Sequence, residues 1–165
     1  MTDTGRYAGM MSVSPLEFKQ ALGRFASGVT VVSVVRDDEV YGITVSAFIS
    51  VSLDPPLVLV SIAKSSYFHS ILSESRRYGI SILSQEQMDI SEHFAHRNTI
   101  QPKYSELGGV PLIEGALSHL VCAMVDQHSA GDHTLFVGYV EQAAISDGKP
   151  LLYAQGAYNR LTENV

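Results

Sequence analysis

The chain has 165 residues, of which 45% are hydrophobic and 17% charged, and its formal net charge is −6. These values are typical of one globular domain that is large enough to bury a core. An acidic chain without a basic stripe argues against a nucleic-acid binder, so we expect no nucleic-acid partner.

Targeting signals and cysteine usage indicate where the protein works. The N-terminal residues lack the apolar segment that a secretion signal needs. The longest strand-like apolar run, 57–63, is far shorter than the ~20 apolar residues that cross a bilayer. The one cysteine, Cys122, fits a reducing compartment and is expected to pack in the core. We therefore predict a cytoplasmic protein without a membrane partner.

The chain begins with a predicted tail and a predicted helix. Residues 1–13 are expected to form a flexible tail, and 14–165 a single domain. Ser14 is a good N-cap, Pro15 suits the first turn, and Glu17 completes a capping box. The sequence therefore predicts that a helix begins here.

An apolar stripe follows along this helix. Phe18, Leu22 and Phe25 recur at i, i+4 and i+7, which predicts one buried helix face. Gly28 is the expected end of the helix. The β-branched run 29–35 then predicts a strand, which a charged turn should join to the next strand as a hairpin.

The most informative segment is 42–53, because its residues alternate with period two, as in a β-strand. One face is apolar and consists of Ile43, Val45, Ala47, Ile49, Val51 and Leu53. The opposite face carries small hydroxyl groups around one aromatic ring, on Thr44, Ser46, Phe48, Ser50 and Ser52. Such a face can hydrogen-bond a polar, planar ligand at short range. A solvent-facing strand of an antiparallel sheet has the same pattern, so both readings stay open.

The later elements complete a mainly β pattern. In chain order we predict a strand at 57–63 that is buried on both sides, a short helix through Leu72, a strand at 78–83, a helix after 84–87, a long loop at 97–111, and strands at 117–126, 133–140, 151–153 and near Tyr158. Hairpins outnumber β-α-β units in this order. The pattern favours a closed antiparallel barrel with a few short peripheral helices.

Motifs for several other chemistries are absent or incomplete in the sequence. Neither of the two familiar glycine-rich nucleotide loops occurs, and there is no Gly-x-Ser-x-Gly nucleophile elbow. His93 and His96 have a helical spacing that could bind a metal, but no third ligand is apparent, so we predict no metal site. His128 and the pair Asp132–His133 flank a turn. An acid–base pair is one reading of that turn, and a structural turn with one ligand-contacting histidine is the other.

A flavin would account for the hydroxyl-bearing face of 42–53. Its isoalloxazine ring is flat and has a polar pyrimidine edge, which requires small side chains and main-chain groups nearby. Its phosphate requires hydroxyl groups and a cation. Lys64, Ser65 and Ser66 follow a predicted strand at a possible helix N-terminus, where N–H groups and the helix dipole favour anions. The alternative for Lys64 is a solvated turn lysine.

Six segments of the chain together resemble the short-chain flavin reductases, the small components of two-component flavin-dependent monooxygenases. The resemblance runs from about Phe18 to Leu161, and the segments are specific when taken together in this order. They are Phe25-Ala-Ser-Gly-Val-Thr-Val-Val32, Gly42-Ile-Thr-Val-Ser-Ala-Phe-Ile-Ser-Val-Ser-Leu-Asp-Pro-Pro56, Gly79-Ile-Ser-Ile-Leu83, His93-Phe-Ala95, Gly131-Asp-His-Thr-Leu-Phe-Val-Gly138 and Pro150-Leu-Leu-Tyr153.

This resemblance implies a fold, a reaction and partners. The fold would be an FMN-binding split β-barrel with a Greek-key core, acting as a homodimer with flavin at the barrel edge near the dimer interface. The reaction would be hydride transfer from NADH or NADPH to FMN or FAD. Reduced flavin would then pass to a partner monooxygenase. We expect NADH because the sequence shows no arginine cluster for a 2′-phosphate.

The resemblance also implies roles for particular residues. Flavin would be lined by Thr44, Ser46, Ala47, Ser50, Val51 and Ser52, with Ala63, Lys64 and Ser66 near its phosphate and Tyr158 near its ring. His133 would lie beside the flavin and nicotinamide and act in catalysis. One departure is the run Ala154-Gln155-Gly156-Ala157, where many relatives carry an arginine or a bulky aromatic residue.

Two other functions remain open from the sequence. One is a flavin-binding carrier or sensor without reductase turnover. The other is a reductase of a different small acceptor that keeps FMN tightly bound. Fold alone does not separate these functions.

Overall fold

The computed structural model of the protein describes residues 9–96 and 100–162. Within these ranges the elements, in chain order, are α1 (Pro15–Leu22), β1 (Ser27–Gly28), β2 (Thr30–Arg36), β3 (Glu39–Val45), β4 (Phe48–Ser52), β5 (Leu57–Ala63), α2 (Tyr67–Glu74), β6 (Arg77–Ile82), α3 (Met88–His96), β7 (Tyr104–Leu107), β8 (Val110–Ile113), β9 (Ser118–Ala130), β10 (His133–Ile145), β11 (Leu152–Ala154) and β12 (Ala157–Asn159). The predicted tail over 1–13 and the C-terminal end of the predicted domain fall partly outside the described residues. None of the described helices has the length and apolar character needed to cross a membrane.

One seven-stranded antiparallel sheet forms the centre of the fold. Its strand order is β3-β2-β6-β9-β10-β5-β4, so β3 and β4 lie at opposite edges. Only Ser46 and Ala47 separate these two strands in sequence. Because neighbouring Cα atoms are about 3.8 Å apart, the sheet must curl until its edges lie close together. The predicted mainly β fold with short helices is confirmed, while closure of the sheet into a barrel stays a prediction.

The prediction of one continuous strand over 42–53 is wrong, because the segment breaks at Ser46–Ala47. On the β3 side, the buried hydroxyl of Thr30 donates to the Val45 carbonyl at 2.7 Å. On the β4 side, the Ser61 N–H donates to the Ala47 carbonyl at 3.0 Å. We call residues 46–47 the edge link. It is held between β2 and β5, and the two predicted faces do not continue across it.

The core lies on the inner face of the curled sheet. In β5, Val58, Val60 and Ile62 are buried while the alternate residues are half-buried, so the prediction that 57–63 is buried on both sides is wrong. Cys122 is buried in the core as predicted. Burial raises the pKa of its thiol to about 12, so this side chain is an uncharged packing residue.

Helix α1 begins as predicted but ends early and packs differently. Ser14 and Glu17 form the capping box reciprocally, and the helix ends at Gly23 instead of Gly28 because the chain then enters β1. No residue of α1 is buried. Leu22 is 54% exposed and Phe25 76% exposed, so the predicted buried stripe is wrong for the single chain.

The predicted long loop over 97–111 is also wrong in its second half. Its residues 104–111 lie in the hairpin of β7 and β8, while 97–99 lie outside the described residues. Gly108 and Gly109 form the turn with φ of +57° and +76°. These values are open to glycine at little cost. The glycine pair therefore indicates a hairpin turn. The strands beside it were not predicted because each has only four residues, too few to show a clear alternation of apolar and polar residues.

Candidate functional site

Three strand ends and one helix start converge on one side of the edge link. The C-terminal ends of β3 and β5 meet the start of β10, where His133 pairs with Ala63. Ser66 caps α2 by accepting from the Phe68 N–H at 3.2 Å. These elements enclose a cavity of about 250 Å³, which we call the His133 cavity. Six predicted site residues line it: Thr44, Ser46, Ala47, Ala63, Ser66 and His133.

Two further cavities adjoin the edge link. The larger, of about 660 Å³, lies between β4 and the segment that follows α1, and its wall includes Leu22, Phe25 and Ile49. We call it the apolar cavity, and its volume is within the usual range for small-molecule sites. The smaller, of about 200 Å³, is lined by Tyr153 and Tyr158. Ser46 lines all three cavities, which places the edge link at the centre of the site.

A hydrogen-bond chain fixes the wall between β3 and the C-terminal hairpin. The Thr44 hydroxyl donates to the Ser91 carbonyl of α3 at 2.6 Å. The Ser91 hydroxyl lies 2.8 Å from that of Tyr158. Tyr158 in turn packs edge-on against Tyr153, with ring centroids 5.4 Å apart. Because the one hydroxyl proton of Thr44 points to Ser91, Thr44 meets a ligand as an acceptor.

His133 is oriented by its neighbour in sequence. Its Nδ1 lies 2.7 Å from Oδ1 of Asp132, and a carboxylate can only accept, so Nδ1 carries the proton. Nε2 is then left for a ligand. The hydrogen bond from His133 lowers the pKa of Asp132 below its ordinary 3.8. Asp132 therefore remains an acceptor at any pH near neutrality.

Replacing Asp132 with asparagine tests this orientation. The asparagine amide offers a donor as well as an acceptor, so the tautomer and angle of the His133 ring are no longer set uniquely. We expect the turnover of the flavin reduction that the resemblance implies to fall about two- to tenfold, which is the range of one hydrogen bond. The protein fold should be unchanged. Steady-state rates of the wild type and of D132N check this. Equal rates would mean that Asp132 is only a turn residue.

The structure gives Lys64 a local role. Its Nζ donates to the Ser129 hydroxyl and to the Gly131 carbonyl, both at 2.7 Å. These contacts fix the β9–β10 turn that carries His133. Lys64 does not line the His133 cavity, and a contact with a phosphate stays a prediction that would have to use its third proton.

Other predicted residues lie apart from the cavity as well. Ser50, Val51 and Ser52 are on the edge strand β4, outside the three cavities. Their role in flavin binding stays a prediction.

Sequence reasoning missed several lining residues. Ser61 lines the His133 cavity. It could have been found from the sequence, because it is the one polar residue within the apolar run 57–63. Tyr153 lines the smallest cavity and stands in a segment quoted for the resemblance. Ser91 contributes its backbone carbonyl to Thr44 and its hydroxyl to Tyr158, and the carbonyl has no signal in the sequence.

The charges of the lining residues restrict the class of ligand that the three cavities can bind. None of the described residues lining the three cavities is a lysine, arginine, aspartate or glutamate. Their polar groups are hydroxyls, main-chain groups and imidazoles, set among apolar walls. An uncharged planar ring with a polar edge fits this lining. Among the described residues no group of three potential metal ligands lies together.

Comparisons with known proteins agree with this geometry. A family model described as flavin reductase like domain matches residues 22–162. An NADH-dependent flavin reductase of Rhodococcus sp. is 49% identical over 154 residues, which cover 90% of this chain and 88% of that protein. The reductase component of 4-hydroxyphenylacetate 3-monooxygenase from Thermus thermophilus is 39% identical, with 87% and 95% covered. The solved structure of flavin reductase PheA2 in its native state superposes with a TM-score of 0.89 at 40% identity, covering 92% of this chain and all of that one.

Proposed function

The chain belongs to the flavin reductase-like domain family, and we propose that it is an NADH-dependent oxidoreductase that reduces FMN or FAD. We further propose that it supplies the reduced flavin to a partner flavin-dependent monooxygenase. The observation that carries the proposal is the uncharged His133 cavity at the edge link. The names of the Rhodococcus and Thermus relatives support both the reductant and the kind of partner.

The residues of the edge link suit the flavin ring. Ser46 and Ala47 are small, exposed residues that line both the His133 cavity and the apolar cavity. Thr44 offers an acceptor, and Ser61 adds a hydroxyl on the facing strand. A planar ring that carries N–H donors and carbonyl acceptors along one edge can use all four. We therefore place the pyrimidine edge of the flavin against Thr44, Ser46 and Ser61.

The start of α2 suits the flavin phosphate. Ser66 caps this helix from the wall of the His133 cavity. The dipole of α2 favours an anion at this end of the helix. The predicted roles of Ala63 and Ser66 are consistent with this placement, and Lys64 stays the predicted cation for the phosphate.

His133 then lies where a second ring could meet the flavin. Hydride chemistry is supplied by the nicotinamide and the flavin themselves, without a protein nucleophile. The task left to this chain is to hold two rings in contact and to exclude water. His133 orients the reacting ring through Nε2, with Asp132 fixing its tautomer. The three cavities that adjoin the edge link have no arginine in their described lining for a 2′-phosphate, which favours NADH over NADPH.

We also propose that the chain is a homodimer and that the curled sheet of each chain closes into a split barrel. An isolated helix of eight residues is marginal in water, and α1 has no buried residue of its own. Phe18, Leu22, Phe25 and Ile49 are all more than half exposed, which is unusual for a single chain. A second copy that covers these side chains would stabilise α1 and narrow the apolar cavity.

Light scattering coupled to gel filtration tests the dimer. We expect a mass of about twice 17.9 kDa. Leu22→Glu should shift the protein toward the monomer, because a buried carboxylate at an interface is costly. Val35→Glu is the matched control, since Val35 is equally exposed on β2. A wild-type monomer would contradict the proposal.

Steady-state oxidation of NADH tests the reductase. Catalytic amounts of protein should oxidise NADH over many turnovers with FMN or FAD, and NADPH more slowly. Binding of flavin without oxidation would instead indicate the carrier or sensor. Turnover with another acceptor, while FMN stays bound, would indicate a reductase of a different small acceptor that keeps FMN tightly bound. NADH as reductant is in keeping with the predicted cytoplasmic location.

A further inference from the structure

The smallest of the three cavities, of about 200 Å³, has a wall formed by α3 and the C-terminal hairpin, and we call it the Tyr158 cavity. It shares Thr44 and Ser46 with the His133 cavity, so a ligand that lies against these two residues borders both cavities. Two residues of its lining differ in burial, because Ser91 of α3 is fully buried while Tyr158 is half-buried. Their hydroxyl groups form a pair, and this difference determines which of the two donates.

The Ser91 hydroxyl donates to that of Tyr158. The two oxygens lie 2.8 Å apart, and by distance alone either could donate. If Tyr158 donated, the single proton of Ser91 would remain in a fully buried position, where no other described residue offers it an acceptor. A buried donor without a partner costs free energy. With Ser91 as the donor, the proton that is left over belongs to Tyr158, which lines the cavity. Tyr158 therefore meets a ligand as a donor.

Ser91 also determines how Thr44 meets a ligand. The Thr44 hydroxyl donates to the Ser91 carbonyl at 2.6 Å, so Thr44 has only acceptor capacity left for the cavity. Ser91 is itself fixed within α3, since its N–H donates to the Gln87 carbonyl at 3.1 Å. One buried residue thus sets an acceptor at Thr44 and a donor at Tyr158, on the same wall of the cavity.

This pair of groups matches the chemistry of a cyclic imide. The pyrimidine edge of a flavin is such an imide, with one N–H donor between two carbonyl acceptors. Thr44 can accept from the N–H, and Tyr158 can donate to a neighbouring carbonyl. A ring that lacks either group leaves one of these side chains without its partner, which lowers its affinity.

We propose that Ser91 is a positioning residue that sets this pattern, and that Thr44 and Tyr158 select the flavin by its imide edge. Ser91 acts through these two neighbours and not by touching the ring. The inference rests on the proposed function, in which the pyrimidine edge of the flavin lies against Thr44 and Ser46.

Titration with lumiflavin and 3-methyllumiflavin tests the acceptor. Both consist of the ring without a phosphate, and the methyl group replaces the imide proton. Thr44→Val should weaken the binding of lumiflavin about fivefold, within the range of one hydrogen bond. It should leave the affinity for 3-methyllumiflavin unchanged, because that ring has no imide proton for Thr44 to accept. Equal weakening of both flavins would overturn the proposal, since it would mean that the wall had merely been distorted.

The variants Tyr158→Phe and Ser91→Ala test the donor and its positioning. We expect Y158F to weaken FMN binding about fivefold, and S91A about twofold because Tyr158 keeps its proton but loses its fixed direction. The double variant should bind FMN as Y158F does, since Ser91 has nothing left to position. Matched controls are Ser73→Ala, which removes a hydroxyl that donates within α2, and Tyr139→Phe on β10. Both lie outside the three cavities and should keep the wild-type affinity.

Infrared spectra of bound FMN provide a signature that a purely structural role of Ser91 would not produce. A carbonyl stretch of the flavin should lie lower in the wild type than in Y158F, with S91A between them, because a hydrogen bond weakens the C=O bond. Additive effects of the two substitutions on FMN affinity would overturn the proposal, as would a carbonyl stretch unchanged in Y158F or a wild type that binds no flavin. A wild type that shows this pattern but does not oxidise NADH would instead refute the proposed reductase function.

Discussion

Replacing His133 with alanine is expected to lower kcat with NADH and FMN by about 10–100-fold, the scale of a lost positioning effect. His133 lines the cavity at the edge link and is held by Asp132 at 2.7 Å. Alanine leaves the strand pairing of β10 intact but removes Nε2 from the cavity. The reacting rings would still bind, yet they would sample more orientations.

The matched control for this variant is His128→Ala. His128 is exposed on β9 and pairs with Asp126 at 3.0 Å, outside the three cavities. Stopped-flow rates and flavin titrations should show a slow chemical step in H133A, near-normal flavin affinity, and wild-type behaviour in H128A. Wild-type turnover together with unchanged NADH affinity in H133A would remove His133 from the mechanism.

Gly138→Ala should lower the free energy of unfolding by about 1–3 kcal/mol, the usual cost of overpacking a core. A Cβ at this position would lie 2.1 Å from the Tyr78 hydroxyl oxygen and 2.8 Å from the ring carbon that bears it. Tyr78 is fully buried, so its ring has no free space to enter. Gly138 is thus required by the approach of Tyr78 and not by its backbone conformation.

Tyr78→Phe separates the hydroxyl from the ring in this contact. Among the described residues, the Tyr78 hydroxyl is a buried polar atom without a hydrogen-bond partner, and burial raises the pKa of the phenol. Removing the oxygen should therefore be neutral or stabilising. It should also recover part of the loss in the double variant with Gly138→Ala. Urea unfolding at one fixed protein concentration measures all three variants. If G138A lowered the free energy of unfolding by less than about 0.5 kcal/mol, which is the size of effect that surface substitutions have, the steric account would be contradicted.

Local signals sufficed for most of the elements. The capping box at Ser14, the strand 57–63 and the helix capped by Ser66 each depend on neighbours within a few residues. The edge link could not be found in this way. Its break is made by Thr30 and Ser61, which lie 15 and 14 residues from their partners in sequence. Period-two alternation continues across the break, so the pattern carries no sign of it.

The candidate site could be predicted where its residue types form a recognisable pattern in the sequence. Thr44, Ser46, Ala47 and His133 were named from the hydroxyl row and the resemblance, and the structure brings them to one cavity. The contacts of Lys64 could not be foreseen, because they depend on the β9–β10 turn folding back over it. The exposure of the apolar stripe on α1 could not be foreseen either. The spacing of apolar residues is the same whether a helix face packs within its own chain or against the proposed second copy.

Anaerobic bleaching of flavin tests the central claim most directly. Free FMN would be mixed with a hundredth as much protein and one equivalent of NADH, and the flavin absorbance followed to completion. The account predicts that all of the flavin is reduced, with one NADH consumed per flavin, because reduced flavin leaves the site. Bleaching that stops at one flavin per protein chain would contradict it and would mean that the flavin is retained.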